Sequence, residues 1–292
     1  MSCEHSARRR FAAVLLVLAG ALASAAASPP GPEDPGPLAP AQWPRQPTPR
    51  VPRTATGQPN PDAPAPRTAE GRPDFSGVWR GITGPPGRRP VRPLPGPPLA
   101  VYREVGQNLP EGLPVTAYGL ELLKQRIAGD GRQNPSAQCL PMGIVQLHTQ
   151  GAPRKFVQTA DLLAILYEAG GETRQIFTDG RPSPASDPQP WWNGYSVGRW
   201  DGDDLVVTTT HFRDGGWLDL VGSPLTDAGR IVERLRRPTF ARMDIDVTIE
   251  DAKAYTRPFT VRLYQELMLD EELIEFVCLE NQRVKPSSDR PR

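Results

Sequence analysis

In "MDIDVTIED", residues 243–251, Met243, Ile245, Val247 and Ile249 alternate with Asp244, Asp246, Thr248 and Glu250. Successive side chains of a strand point to opposite faces, so a period of two sends the apolar groups one way and the polar groups the other. One wet face and one apolar face mean an antiparallel sheet, since parallel strands are buried on both sides. "FTVRLYQEL" (259–267) repeats the pattern, with Phe259, Val261 and Leu263 inward. Shorter β-rich runs lie at "FSGVWR" (75–80), "KFVQT" (155–159), "LLAILYE" (162–168) and "TRQIFTDG" (173–180), and "LIEFVCLEN" (273–281) is expected to close the domain. Nine or ten strands joined by short turns, with no βαβ alternation, predict an all-β fold: an antiparallel barrel or a strongly curled sheet. One amphipathic helix is expected in "TAYGLELLKQRIAG", with Thr116 as N-cap and Gly129 as stop. His148, in "GIVQLHTQG", reads as loop.

"GYSVGRWDGDDLVVTTTHF" (194–212) sets Asp201, Asp203 and Asp204 between two alternating runs. Asp-Gly is a strong hairpin signal, because the favoured turn needs positive φ at both central residues. A calcium loop would close on a bidentate glutamate, and none follows until Glu233. The cluster is therefore expected to turn the chain.

The ends of the sequence read differently. Arg8, Arg9 and Arg10 precede an apolar run, Phe11 to Leu22, and then small residues at A-x-A spacing, so residues 1–27 read as a secretory signal peptide, through either the general or the twin-arginine route. The run is too short to span a bilayer, and no membrane span is expected in the mature chain. Residues 28–72 are Pro-rich with few large apolar groups and predict a disordered tether, residues 73–283 the barrel-like domain, and residues 284–292 a disordered tail. The formal charge of the whole chain is +1 and falls to about −1 without the leader, which excludes nucleic acid as an electrostatic partner. Of three cysteines, Cys3 leaves with the leader, and Cys139 and Cys278 are expected to pair in an oxidising compartment, closing a loop worth on the order of 4 kcal/mol.

Two histidines in the mature chain exclude the usual zinc arrangements, and no cofactor or metal is expected. His211 falls on the same face as Leu205, Val207 and Thr209 and so is a candidate to point into a barrel. One inter-strand loop carries Asp179, Arg181, Asp187, Trp191, Trp192 and Tyr195, and another carries Asp214 and Trp217 with Asp219. Aromatic faces beside carboxylates at a barrel mouth suit a sugar or another amphipathic ligand; the alternative is that the tryptophans pack and the aspartates make turns. In "RIVERLRRP" (230–238), Glu233 shares a face with Ile231 and Leu235 and must be paired by an inward Arg, as a structural ion pair or as a site.

"PDFSGVWRG", "CLPMG", the long run from Gln175 to Val207, "DGGWLD", "VERLRRPTF" and "LIEFVCLEN" together resemble an uncharacterised family of exported bacterial proteins, over Pro73 to Gln282. Members of that family usually carry Gly at the position of His211 and Asn at that of Arg213, which argues against His211 as a shared catalytic group. Gly77-x-Trp79 is similar to the lipocalin signature, in which a tryptophan closes one barrel end, so the resemblance implies a lipocalin-like barrel. The function expected is an exported, periplasmic or extracellular protein binding a small apolar or amphipathic molecule in its barrel. The alternatives are a cell-envelope hydrolase or lyase acting on a carbohydrate-like substrate with Asp179, Arg181 and Asp214 near the mouth, and a structural module of the envelope.

Overall fold

The computed structural model describes residues 47–82, 96–185 and 189–278. All of them belong to one compact unit, Trp43–Arg292. The expected leader, residues 28–46 of the expected tether, the C-terminal tail and Asp187 lie outside the described residues.

Strands form where the alternation demands them: β1 (Gly77–Ile82), β2 (Arg154–Gln158), β3 (Leu162–Tyr167), β4 (Thr173–Phe177), β5 (Tyr195–Asp201), β6 (Asp204–Thr210), the short β7 (Gly216–Trp217) and β8 (Pro224–Leu225), β9 (Arg230–Thr239), β10 (Arg242–Glu250) and β11 (Phe259–Leu267). Nine of them close into a barrel in the order β1-β11-β10-β9-β6-β5-β4-β3-β2, and β7 pairs with β8 apart from it. The all-β barrel expected from the sequence is therefore the fold. The purely antiparallel ring is not: β4 and β5 run parallel, with Ile176 opposite Ser196. Antiparallel neighbours reverse direction at every step, so a ring with an odd number of strands must contain a parallel pair. That pair needs a long return rather than a tight turn, and residues 178–194 supply it.

The β10 face behaves as its sequence dictates. Met243, Ile245, Val247 and Ile249 are at most 1 % exposed, and they meet Leu205, Ile231, Leu235 and Val261 in the lumen. The lumen is thus filled by side chains, as in other small barrels. The described part of the expected closing strand at 273–281 is not strand but runs as irregular chain up to Cys278. It has no edge to join, because β1 already pairs with both β11 and β2. The segment is fastened instead by the Cys139–Cys278 disulfide and by Lys155 Nζ on Glu272, 2.6 Å.

Two helices accompany the barrel. α1 (Ala117–Ala128) matches expectation, with Thr116 Oγ1 accepting from Gly119 N at 3.0 Å as N-cap. α2 (Ile144–Thr149) corrects the loop assignment at His148: five of its six residues are buried. Six residues without a side-chain cap give little helical signal, and tertiary contacts decide instead. Its C-terminal turn lies so close to β1 that a Cβ at Gly81 would sit 2.6 Å from the carbonyl oxygens of His148 and Gln150.

Residues 47–72, which composition assigns to the tether, instead fold back on the barrel. "PRTATGQPN" (52–60) and "PRTAEGRPD" (66–74) are two copies of one turn motif. In the first, Thr54 N donates to Gln58 O (2.8 Å), Asn60 N to Pro52 O (2.8 Å) and Arg53 Nη1 to Gly57 O (2.8 Å). In the second, Thr68 N donates to Arg72 O (2.8 Å), Asp74 N to Pro66 O (2.9 Å) and Arg67 Nη1 to Gly71 O (2.7 Å). Gly57 and Gly71 both take φ near +80°, at 79° and 78°, a conformation that disfavours any residue with a Cβ. Between the copies, Ala63 O accepts from Phe240 N at 2.7 Å. Behind them Trp79 is fully buried, its indole N–H donating to Phe75 O at 2.9 Å, with the Arg237 guanidinium 4.8 Å above the ring.

Candidate functional site

The lumen holds a buried ion pair. Alternation along β9 turns Glu233 inward with Ile231 and Leu235, and along β4 it turns Arg174 inward with Ile176. The two meet as a forked pair, with Arg174 Nη1 3.1 Å from Glu233 Oε1 and Nη2 on Oε2. Arg174 also donates through Nη2 to Thr209 Oγ1 at 2.9 Å and through Nε to Ser196 Oγ at 3.1 Å. Burial alone would lower the Arg174 guanidinium, but the Glu233 carboxylate and the Tyr167 hydroxyl outweigh it and hold it above its ordinary value. Glu233 is therefore paired as the sequence required. Its partner went unidentified there because "TRQIF" shows only a strand.

α2 delivers His148 to the same pair, where Nε2 lies 3.0 Å from the Tyr167 hydroxyl. Nε2 also comes within 3.9 Å of Glu233 Oε1, close enough for an ion pair if the ring were charged. It is not: burial first, then the Arg154 and Arg174 guanidiniums, push the imidazole well below its usual 6.5. Nδ1 has no partner. A proton on Nε2 leaves only a lone pair, and not an N–H, against the apolar wall. Arg154 pins the helix that carries this ring, donating from Nη1 to His148 O (2.9 Å) and from Nη2 to Gln150 O (2.7 Å). These carbonyls end a helix, where a cation is favoured. Burial lowers Arg154 to about 10, so it stays charged at neutral pH.

This ring carries a pH signature. With a folded-state value below 6.5, His148 contributes stability that is complete above pH 6.5 and is lost as pH falls below it, where only the unfolded chain takes the proton. The unfolding free energy should fall by up to about 1.4 kcal/mol per pH unit between pH 6.5 and 5. His148→Gln should flatten that window in urea titrations; an unchanged slope would place the titration elsewhere.

The loop candidates gather on the outside instead. Arg181 grips Asp179 through Nε and Nη2 (2.9 and 2.6 Å) and lies 3.9 Å over the Phe177 ring. Phe177 stacks on Tyr195 at 5.3 Å, Tyr195 meets Trp191 at 5.5 Å, and Trp191 meets the His211 ring edge-on at 6.4 Å. Trp192 lies beneath Arg213, 5.4 Å from its guanidinium. His211 does not point into the lumen: β6 ends at Thr210, and His211 turns out with φ +60°. The Arg181 hydrogen bonds hold the Asp179 carboxyl below the usual range. Asp214 is exposed on a different turn, and Trp217 is buried beneath Arg126 at 4.9 Å. The candidates thus divide into the outer cluster, the separate exposed Asp214, the lumen pair of Glu233 and the packed Trp217.

Asp201, Asp203 and Asp204 turn the chain and are each taken by arginine. Asp201 and Asp204 both bind Arg234 at 2.7 Å, and Asp203 binds Arg67 at 2.6 Å. The central residues of the turn are Gly202 and Asp203, and only Gly202 has positive φ, so the type II′ arrangement replaces the expected one. No group of three metal-ligating side chains occurs among the described residues. No protein-family model, curated protein or solved structure matches this chain.

Open space lies beside the barrel. A cleft of about 410 Å³ runs between residues 47–50 and the paired strands β1 and β11. Val78, Phe240, Leu267 and Met268 supply its apolar lining, and Arg50, Lys155, Glu271 and Glu272 its charged groups. Arg237 also borders it, lowered to about 10 by burial. A disordered tether over residues 28–72 would leave no such cleft, because about a third of its lining residues come from that stretch. The repeated P-R-T-A-x-G-x-P pattern was the available signal that the segment folds.

Proposed function

We propose that this protein binds a small amphipathic molecule, and that the molecule sits in the cleft between residues 47–50 and the paired strands β1 and β11. The observation that carries the reading is a volume of about 410 Å³ combining apolar lining with charged groups, within the range of small-molecule sites. The lumen is packed with side chains and offers less support as the binding chamber. An acid–base hydrolase or lyase is less well supported, because Asp179 and Glu233 are each engaged by an arginine. A disulfide between residues distant in sequence favours an oxidising compartment, in keeping with an exported protein.

The test uses 1-anilinonaphthalene-8-sulfonate, an aromatic body with an anionic head, against the folded full chain. Saturable fluorescence at one site per chain is expected, with displacement by straight-chain fatty acids. Met268→Arg fills the cleft and should weaken binding at least about tenfold while leaving the thermal midpoint within a few degrees. Absence of saturable binding, or equal binding by the folded variant, would remove the cleft as the site. Native mass spectrometry of protein taken from its own source then identifies what it carries.

A further inference from the structure

The two turn motifs have the same local fold but different company. In the second copy, Arg67 Nη1 and Nη2 grip the Asp203 carboxylate at 2.9 and 2.6 Å, and Arg72 Nη1 donates to Gly202 O at 3.0 Å. That copy is a receptor for the Gly-Asp tip of the β5–β6 hairpin. It reads one carboxylate with a planar fork and one backbone carbonyl with a neighbouring donor.

In the first copy Arg53 occupies the place of Arg67, and its Nη1 is likewise held by a glycine carbonyl, Gly57 O at 2.8 Å. Gln58 stands where Arg72 stands and carries an amide N–H able to donate to a carbonyl. Both side chains are exposed, and neither Nη2 of Arg53 nor the Gln58 amide meets a partner among the described residues. The guanidinium is thus already oriented by the Gly57 bond, so that little rotamer freedom remains to be lost on binding.

We propose that residues 52–60 form a docking site for the acidic β-turn of a partner protein, a Gly-Asp tip whose aspartate takes Arg53 and whose glycine carbonyl takes Gln58. The occupant follows from what the twin motif holds within the same chain. It is not the β5–β6 tip of a second copy of this chain, because Asp203 is already engaged by its own Arg67. Exposed ion pairs contribute little singly, so an isolated turn should bind with a dissociation constant in the millimolar range, and the site works as one contact of a wider interface.

The experiment titrates ¹⁵N-labelled full chain with a cyclised hairpin peptide of sequence WDGDDL, that of Trp200–Leu205, and follows the arginine Nε–Hε signals. The Arg53 signal should move and saturate at millimolar peptide while Arg67, already occupied, stays in place. The peptide with Asn at the second Asp should leave Arg53 unmoved, and Arg53→Lys should weaken binding at least about threefold without changing the backbone spectrum. An unmoved Arg53 signal, or equal shifts from the Asn peptide, overturns the proposal. So does an Arg53 signal that moves with protein concentration alone, since that assigns the site to self-association. None of these readouts depends on the cleft, so either reading can fail alone.

Discussion

Glu233→Ala should destabilise the folded chain by about 3–5 kcal/mol, one of the two largest losses expected from any change to the protein. Glu233 is 2 % and Arg174 4 % exposed, so removing the carboxylate strands a guanidinium in the lumen with only Ser196, Thr209 and Tyr167 for company. Arg174→Ala should cost a similar amount by stranding the carboxylate. The double variant Arg174→Met, Glu233→Leu behaves differently: it removes both desolvation penalties and should return to within about 1 kcal/mol of the parent, or exceed it. Asp201→Ala, which breaks an ion pair 63 % exposed on its acidic side, should move the midpoint far less than either single lumen variant. Urea midpoints at constant slope read all four. If Glu233→Ala costs under about 1 kcal/mol, water reaches the lumen pair, and an acid–base role for it regains support.

The barrel was legible because its strands bury one face and wet the other. Met243 to Ile249 state that at every second position, and the prediction of an all-β barrel rests on little else. The parallel β4–β5 pair was not legible: neither strand's sequence records a neighbour's direction, and the constraint is a parity of the whole ring. α2 was missed because its stability is tertiary, from the Arg154 clamp and close approach to Gly81. The site was legible by halves. Glu233 announced an inward partner through its place between Ile231 and Leu235, whereas Arg174, four residues before a turn-like "TDG", announced nothing. His211 was misplaced by extending a strand period one residue past its end, where φ turns positive. The cleft wall is not legible from composition: high proline content predicts disorder, while the repeated pattern within it sets two hydrogen-bonded turns.

Opening the Cys139–Cys278 disulfide, as the double serine variant, should lower stability by about 5 kcal/mol if the effect is entropic, because the bridge joins residues 139 apart. At 2–4 °C per kcal/mol for a domain of this size, the thermal midpoint should fall by roughly 10–20 °C. The structure locates the local consequence. Residues 271–278 pair with no strand, and apart from the bridge they are fastened by the Lys155–Glu272 contact and by Ile274 N on Glu168 Oε2 at 3.2 Å. Without the bridge the segment loses its covalent tie to residue 139, so its amides should exchange faster than in the parent while those of β9 to β11 stay protected. α2 begins shortly after Cys139 but is held at its far end by Arg154, so His148 should remain buried and the pH 6.5–5 window should persist in the variant. Hydrogen exchange by mass spectrometry separates these segments directly. A loss below about 1 kcal/mol, or protection lost across the barrel as fast as in 271–278, would show that the bridge does not act chiefly by restricting the unfolded chain.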